Sequence, residues 1–140
     1  MDNLAGKLIK NFTNDQLKHK NEYDNEKLLS IALDCAKITN EKKADKTVLL
    51  DVSTITPVAD FFIIASADTF IQLRALSDYI ETEISKHGFK RINPKNPFNE
   101  TSWLLSDYGF LVVHLFTNTA REYYNLEKFW HDAKVIYEGD

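Results

Sequence analysis

Cysteine is almost missing from this chain. Cys35 is the single one among 140 residues, so no internal disulfide can form, which suits a reducing compartment. Glycine is scarce too: four residues are too few to build a glycine-rich phosphate cradle in addition to ordinary turns. No apolar run reaches the roughly 18–20 residues that span a bilayer. The N-terminus has no apolar signal core, places Asp2 early, and alternates lysines with acids, unlike a transit peptide. These absences together predict a cytoplasmic protein with no membrane segment. A basic excess is also lacking. The net charge of −4 argues against nucleic-acid phosphates as the main partner, because such binding needs clustered Lys and Arg. A basic protein surface is the better electrostatic match.

What the chain does contain is 44% hydrophobic residues arranged in short periodic runs, enough for one domain with a real core. The stretch Thr47 to Ser66 holds two apolar runs, Val48-Leu49-Leu50 and Phe61-Phe62-Ile63-Ile64, separated by a polar turn with Pro57. Runs this short, β-branched and aromatic, read as two adjacent strands, and their continuity predicts helices packed on both faces. Before them, Leu28, Ala32, Cys35, Ala36 and Thr39 give a helix from Asn25, the expected N-cap, to Thr39. After them, Leu73, Leu76, Ile80 and Ile84 give a second helix, capped at Asp68 or Thr69 and stopped at Gly88. His87, in its last turn, reads as a capping or solvated residue.

Ser102–Ser106 and Phe110–Phe116 then read as an antiparallel hairpin through Asp107-Tyr108-Gly109. A last helix, capped by Thr119, carries the stripe Tyr123, Leu126, Trp130, and Lys134–Tyr137 adds a brief edge strand. The expected fold class is α/β, a mixed sheet of about five strands flanked by helices. Residues 1–24 stand apart as an N-terminal extension to a domain of residues 25–140. In that extension Leu4, Leu8 and Phe12 fit a short helical stripe, and a loosely docked segment fits the same residues.

No motif for catalysis emerges. His19, His87, His114 and His131 are far apart, Cys35 has no C-x-x-C partner, and no G-x-S-x-G, H-E-x-x-H or Walker pattern occurs. His114 falls inside an apolar strand, where a core or interface role outweighs that of a general base. Asp51, Asp60 and Asp107 stand near strand ends, where turn chemistry competes with magnesium and is favoured. No catalytic residue, metal or cofactor is assigned. The last third concentrates Trp103, Tyr108, Tyr123, Tyr124, Phe129 and Trp130 among Asp107, Arg121 and Glu127. Trp, Tyr and Arg are the residue types that dominate protein interfaces.

Three segments, DVSTITPVADFFIIAS, SWLLSDYGFLVVHLF and AREYYNLEKFW, occur in an order and spacing that resemble the ribosomal silencing factor family, also called the Iojap family. The resemblance spans about residues 25–133. It implies a nucleotidyltransferase-like topology and a homodimer when free. It further implies binding to the large ribosomal subunit through that subunit's protein number fourteen. Steric blocking of small-subunit joining would then repress translation when nutrients run short, with no bond made or broken. By position, Asp60 and Phe61, Trp103, Leu104, Asp107, Gly109 and His114, and Arg121, Tyr124, Leu126, Glu127 and Trp130 match the family's motifs. The expected partner-binding residues are Trp103, Leu104, Asp107 and Tyr108, helped by Asp60 and Glu127. Phe110 departs from an acidic residue common in the family, which alters either the contact surface or local packing. The rival expectation is a nucleotidyltransferase-like enzyme using magnesium and a nucleotide. It lacks the Gly-Ser element and the paired carboxylates that such chemistry needs.

Overall fold

The computed structural model describes residues 24–95 and 101–140. The expected stripe at Leu4, Leu8 and Phe12 lies outside the described residues. The elements are α1 (Asn25–Glu41), β1 (Asp45–Asp51), β2 (Phe61–Ala67), α2 (Phe70–Ser85), β3 (Trp103–Asp107), β4 (Leu111–Thr117), α3 (Asn118–Tyr124), α4 (Leu126–Phe129) and β5 (Lys134–Glu138). The strands form one mixed sheet in the order β3-β4-β2-β1-β5, parallel between β2 and β4 and antiparallel elsewhere.

Strand β2 lies at the centre for the reason its composition dictates. All seven of its residues are buried, because both faces of FFIIASA are covered. Phe61, Ile63 and Ala65 face α1 and α2, where Leu28, Ile31, Cys35, Leu73, Leu76 and Ile80 complete the larger core. Phe62 and Ile64 face the other way, onto Val112, Phe116, Ala120, Leu126 and Trp130. Burying each such side chain contributes about 1.5–3 kcal/mol, so the two cores clamp the sheet between them. Strand β2 leads to α2 on one face and β4 leads to α3 on the other, so the chain reverses its winding between these two parallel strands.

The ends of the elements follow local chemistry. Helix α1 is capped one residue earlier than expected: Oδ1 of Asp24, not Asn25, accepts from the Lys27 amide at 2.8 Å. For α2, the Thr69 hydroxyl and the Gln72 side chain exchange bonds in a capping box, and Gly88 follows the helix at φ 86°. The expected single C-terminal helix is two pieces. Thr117, not Thr119, caps α3, and Asn125 adopts a left-handed conformation (φ 44°) that breaks the helix before α4. Asparagine tolerates that region better than most residues.

Candidate functional site

The hairpin β3–β4 and the helix α3 that follows it build the region the sequence singles out. Tyr108 and Leu111 close its turn with a 2.8 Å backbone bond, Gly109 takes φ 89°, and Oδ1 of Asp107 accepts from the Gly109 amide at 2.9 Å. Glycine is required there because a side chain at positive φ meets the following carbonyl. Strand β3 is the outer strand, and its free side is already occupied. The Leu105 carbonyl accepts from Arg91 Nη2 at 2.8 Å and from Asn93 Nδ2 at 2.9 Å. The Asp107 amide donates to Asn93 Oδ1 at 2.8 Å, and the Trp103 amide to Thr101 Oγ1 at 3.2 Å.

Trp103 is half-buried on the α3 side of β3. Its indole stacks on Phe116 at 5.3 Å between ring centres and leans on Tyr124 at 5.3 Å, which meets the exposed Tyr123 edge-on at 5.1 Å. The indole N–H donates to Nδ1 of His114 at 3.2 Å. His114 is fully buried, and desolvation pushes its pKa down to about 3, so the imidazole is neutral at ordinary pH. Leu104, also half-buried, points to the opposite face of the sheet.

The six residues expected to contact a partner do not form one patch. Trp103 and Leu104 sit where β3 pairs with the Phe116 end of β4. Glu127 reaches that same end through Arg121, which donates to Ser66 on β2. Asp60, Asp107 and Tyr108 lie at the other end of the sheet, next to Phe61 and Leu111. Tyr108 departs furthest from expectation. Its ring is 0% exposed inside the larger core, and burial carries its hydroxyl pKa above the usual range. Asp107 is 3% exposed, and burial raises its carboxyl from 3.8 to about 6, opposed by the bond from Gly109. Both side chains are therefore structural in the folded chain, because the turn folds inward over Phe89 and Phe110. Phe110 is itself fully buried at 4.6 Å from Phe89, so the departure at this position is one of local packing.

Nearly all of Arg121 is buried. It holds the top of the sheet together through the Asp45 carbonyl (3.1 Å), the Ser66 hydroxyl (3.3 Å) and Glu127 (3.0 Å). Beside it, a cavity of about 600 Å³ opens at the carboxyl ends of β2 and β4, lined by Asp45, Lys46, Ser66, Asn118, Glu122 and Glu127 among others. Such a crevice is where open α/β sheets hold ligands, but here the buried cation is committed to Glu127 and the rim is rich in carboxylates. The turn carboxylates behave as turn formers: Asp51 accepts from both the amide and the hydroxyl of Ser53. Among the described residues, the side chains close enough together to share an ion are Asp34, Glu83 and His87, between α1 and α2. His87 lies 3.9 Å from Glu83 there. No described helix is long and apolar enough to cross a membrane.

Sequence reasoning missed the roles of Arg91 and Asn93 on the β3 edge and of His114 beneath Trp103. The first depends on a loop folding back across its own hairpin. The second was legible as a polar residue alternating with Val112 and Phe116, but its partner lies on another strand.

Fold and site together define a mixed α/β domain whose half-exposed tryptophan is held on an edge strand by an aromatic stack. Residues 25–140 match the family model described as ribosomal silencing factor during starvation, and the chain belongs to that family. Over 112 residues it is 33% identical to the ribosomal silencing factor RsfS of Halalkalibacterium halodurans, covering 80% of this chain and 92% of that one. It is 35% identical over 106 residues to RsfS of Bacillus subtilis, covering 76% and 89%. It is also 34% identical to the chloroplastic protein Iojap of Zea mays, covering 81% of this chain and 49% of that protein. Among solved structures, a Bacillus halodurans protein superimposes with a TM-score of 0.60 at 31% identity, covering 76% and 95%. A Chromobacterium violaceum protein gives 0.66 at 23% identity, covering 78% and 88%, which speaks to the fold alone.

Proposed function

We propose that this protein binds the large ribosomal subunit through that subunit's protein number fourteen and keeps the small subunit from joining, lowering translation in starvation. It acts by occupying a surface, is a homodimer when free, and works in the cytoplasm. The observation that carries this reading is the half-exposed Trp103 on β3 in a chain of the ribosomal silencing factor family, paired with Leu104 on the opposite face of the same edge. A large aromatic ring held in one orientation is the kind of group that concentrates binding energy. The acidic balance of the chain, −4, favours a basic partner. Of the other residues expected at the contact, Glu127 lies at the same end of the sheet as Trp103, and Asp60, Asp107 and Tyr108 lie at the other end.

The test is co-sedimentation with isolated large subunits, followed by light scattering as small subunits are added. The protein is expected to sediment with large subunits and to suppress the rise in scattering. Trp103→Ala is expected to weaken both effects by at least tenfold, the loss of a central aromatic contact of about 2 kcal/mol. Unimpaired joining at saturating protein would end the proposal.

A further inference from the structure

Position 114 is poorly solved for stability. The His114 ring is wrapped by Phe62 at 4.6 Å, Phe116 at 6.4 Å and Trp103 at 5.9 Å, and is 0% exposed. Because Nδ1 accepts the Trp103 indole proton, the neutral ring must carry its own proton on Nε2. That Nε2 is buried without a hydrogen-bond partner among the described residues. An unpaired buried donor is costly, and phenylalanine, whose ring is one atom larger, would remove that donor while taking away the acceptor of the indole N–H of half-buried Trp103. What the histidine provides and phenylalanine cannot is an acceptor for the indole.

The register explains how it reaches. Trp103 stands directly opposite Phe116, and His114 stands opposite Leu105, so tryptophan and histidine are diagonal neighbours on one face of the hairpin. The histidine thus fixes the indole from beneath, while Phe116 and Tyr124 fix it from the sides.

We propose that His114 is a positioning residue: it holds Trp103 in its docking orientation before any partner arrives, at the expense of an unpaired buried donor at Nε2. This rests on the reading of Trp103 as a ribosome contact, but the latch itself is a property of the free protein. A released indole samples several rotamers, so loss of the latch weakens binding about three- to tenfold.

The test compares His114→Phe with His114→Asn, whose side-chain oxygen falls near the place of Nδ1. Denaturation, large-subunit co-sedimentation and Trp103 fluorescence anisotropy are measured, the last in a Trp130→Phe background so that one indole reports. His114→Phe is expected to fold with a stability close to the parent's, the lost Nε2 donor offsetting the larger ring and the lost indole bond, yet to bind more weakly and show a more mobile indole. His114→Asn is expected to be less stable yet to bind better than His114→Phe. That crossing of stability and affinity is something a purely structural residue does not produce. The proposal is overturned if His114→Phe fails to fold, or if it folds with parental anisotropy and affinity. If the parent does not sediment with large subunits, the proposed function falls while anisotropy still decides the latch.

Discussion

Nη2 of Arg121 lies 3.0 Å from Oε2 of Glu127, tying α3 to α4 across the left-handed break at Asn125. Arg121 is 8% exposed and Glu127 is half-exposed, so the arginine depends on the acid more than the acid on the arginine. Removing one partner of a buried pair leaves an uncompensated charge. Glu127→Ala is therefore expected to destabilise by about 2–3 kcal/mol. Glu127→Gln, which keeps an acceptor oxygen, is expected to cost about 1 kcal/mol. Denaturant midpoints measure both, and equal losses would show that Glu127 does not hold Arg121.

Asp107 makes stability depend on pH in a direction opposite to most carboxylates. Its folded pKa, raised to about 6 by desolvation, exceeds the ordinary 3.8, so the folded state holds the proton more tightly. Its contribution is fully present below about pH 4 and is lost as pH rises through 6. Asp107→Asn keeps the oxygen that accepts from Gly109 and cannot ionise. The variant is expected to match the parent near pH 4 and to be more stable by about 2–3 kcal/mol at neutral pH. Comparing the two chains at each pH cancels the opposite contribution of His114, which loses stability as pH falls below its unfolded value of 6.5. A difference that does not change between pH 4 and 7 would contradict the assignment.

Cys35 is 0% exposed beneath α2, and burial, aided by Glu83 and Asp34, raises its thiol to about 12. Only the thiolate reacts readily with alkylating agents. Alkylation of the folded chain at pH 8 is expected to proceed only through opening of the α1–α2 layer. Its rate should then rise with denaturant in parallel with unfolding measured by circular dichroism. Rapid labelling in buffer alone would show that this layer opens locally.

The family match begins at residue 25, and Asp24 supplies the cap of α1. A chain starting at Asp24 is expected to retain the melting temperature of the domain and the large-subunit binding proposed above. A chain starting at Glu26 is expected to lose about 1 kcal/mol with the cap. Thermal denaturation and co-sedimentation of the two truncations check this. Loss of binding by the longer one, while folded, would give residues 1–23 a role.

Much of the fold was legible because the strongest sequence signals are local. The unbroken apolar run in β2, the stripe from Leu73 to Ile84 and the glycine at 109 each announce a burial pattern or a backbone shape. The stop at Asn125 was harder to see, since asparagine signals a cap, a turn or a solvated face equally well. The site was legible only in part. Motif position marks Asp107 and Tyr108 beside Trp103, but whether a turn folds inward or outward depends on what packs under it, here Phe89 and Phe110. Alternation placed His114 on one face with Val112 and Phe116, yet its pairing with Trp103 required knowing the register between strands.

The bonds that Arg91, Asn93 and Thr101 lay along β3 carry a colloidal consequence. An exposed outer strand invites identical molecules to stack edge to edge into fibres, and this one has most of its main-chain groups spoken for by its own loop. A partner arriving at this rim must therefore read side chains, since little backbone is left to zip against. The same arrangement should guard this edge of the sheet against such stacking and leaves β5, at the opposite edge, as the strand where it would begin.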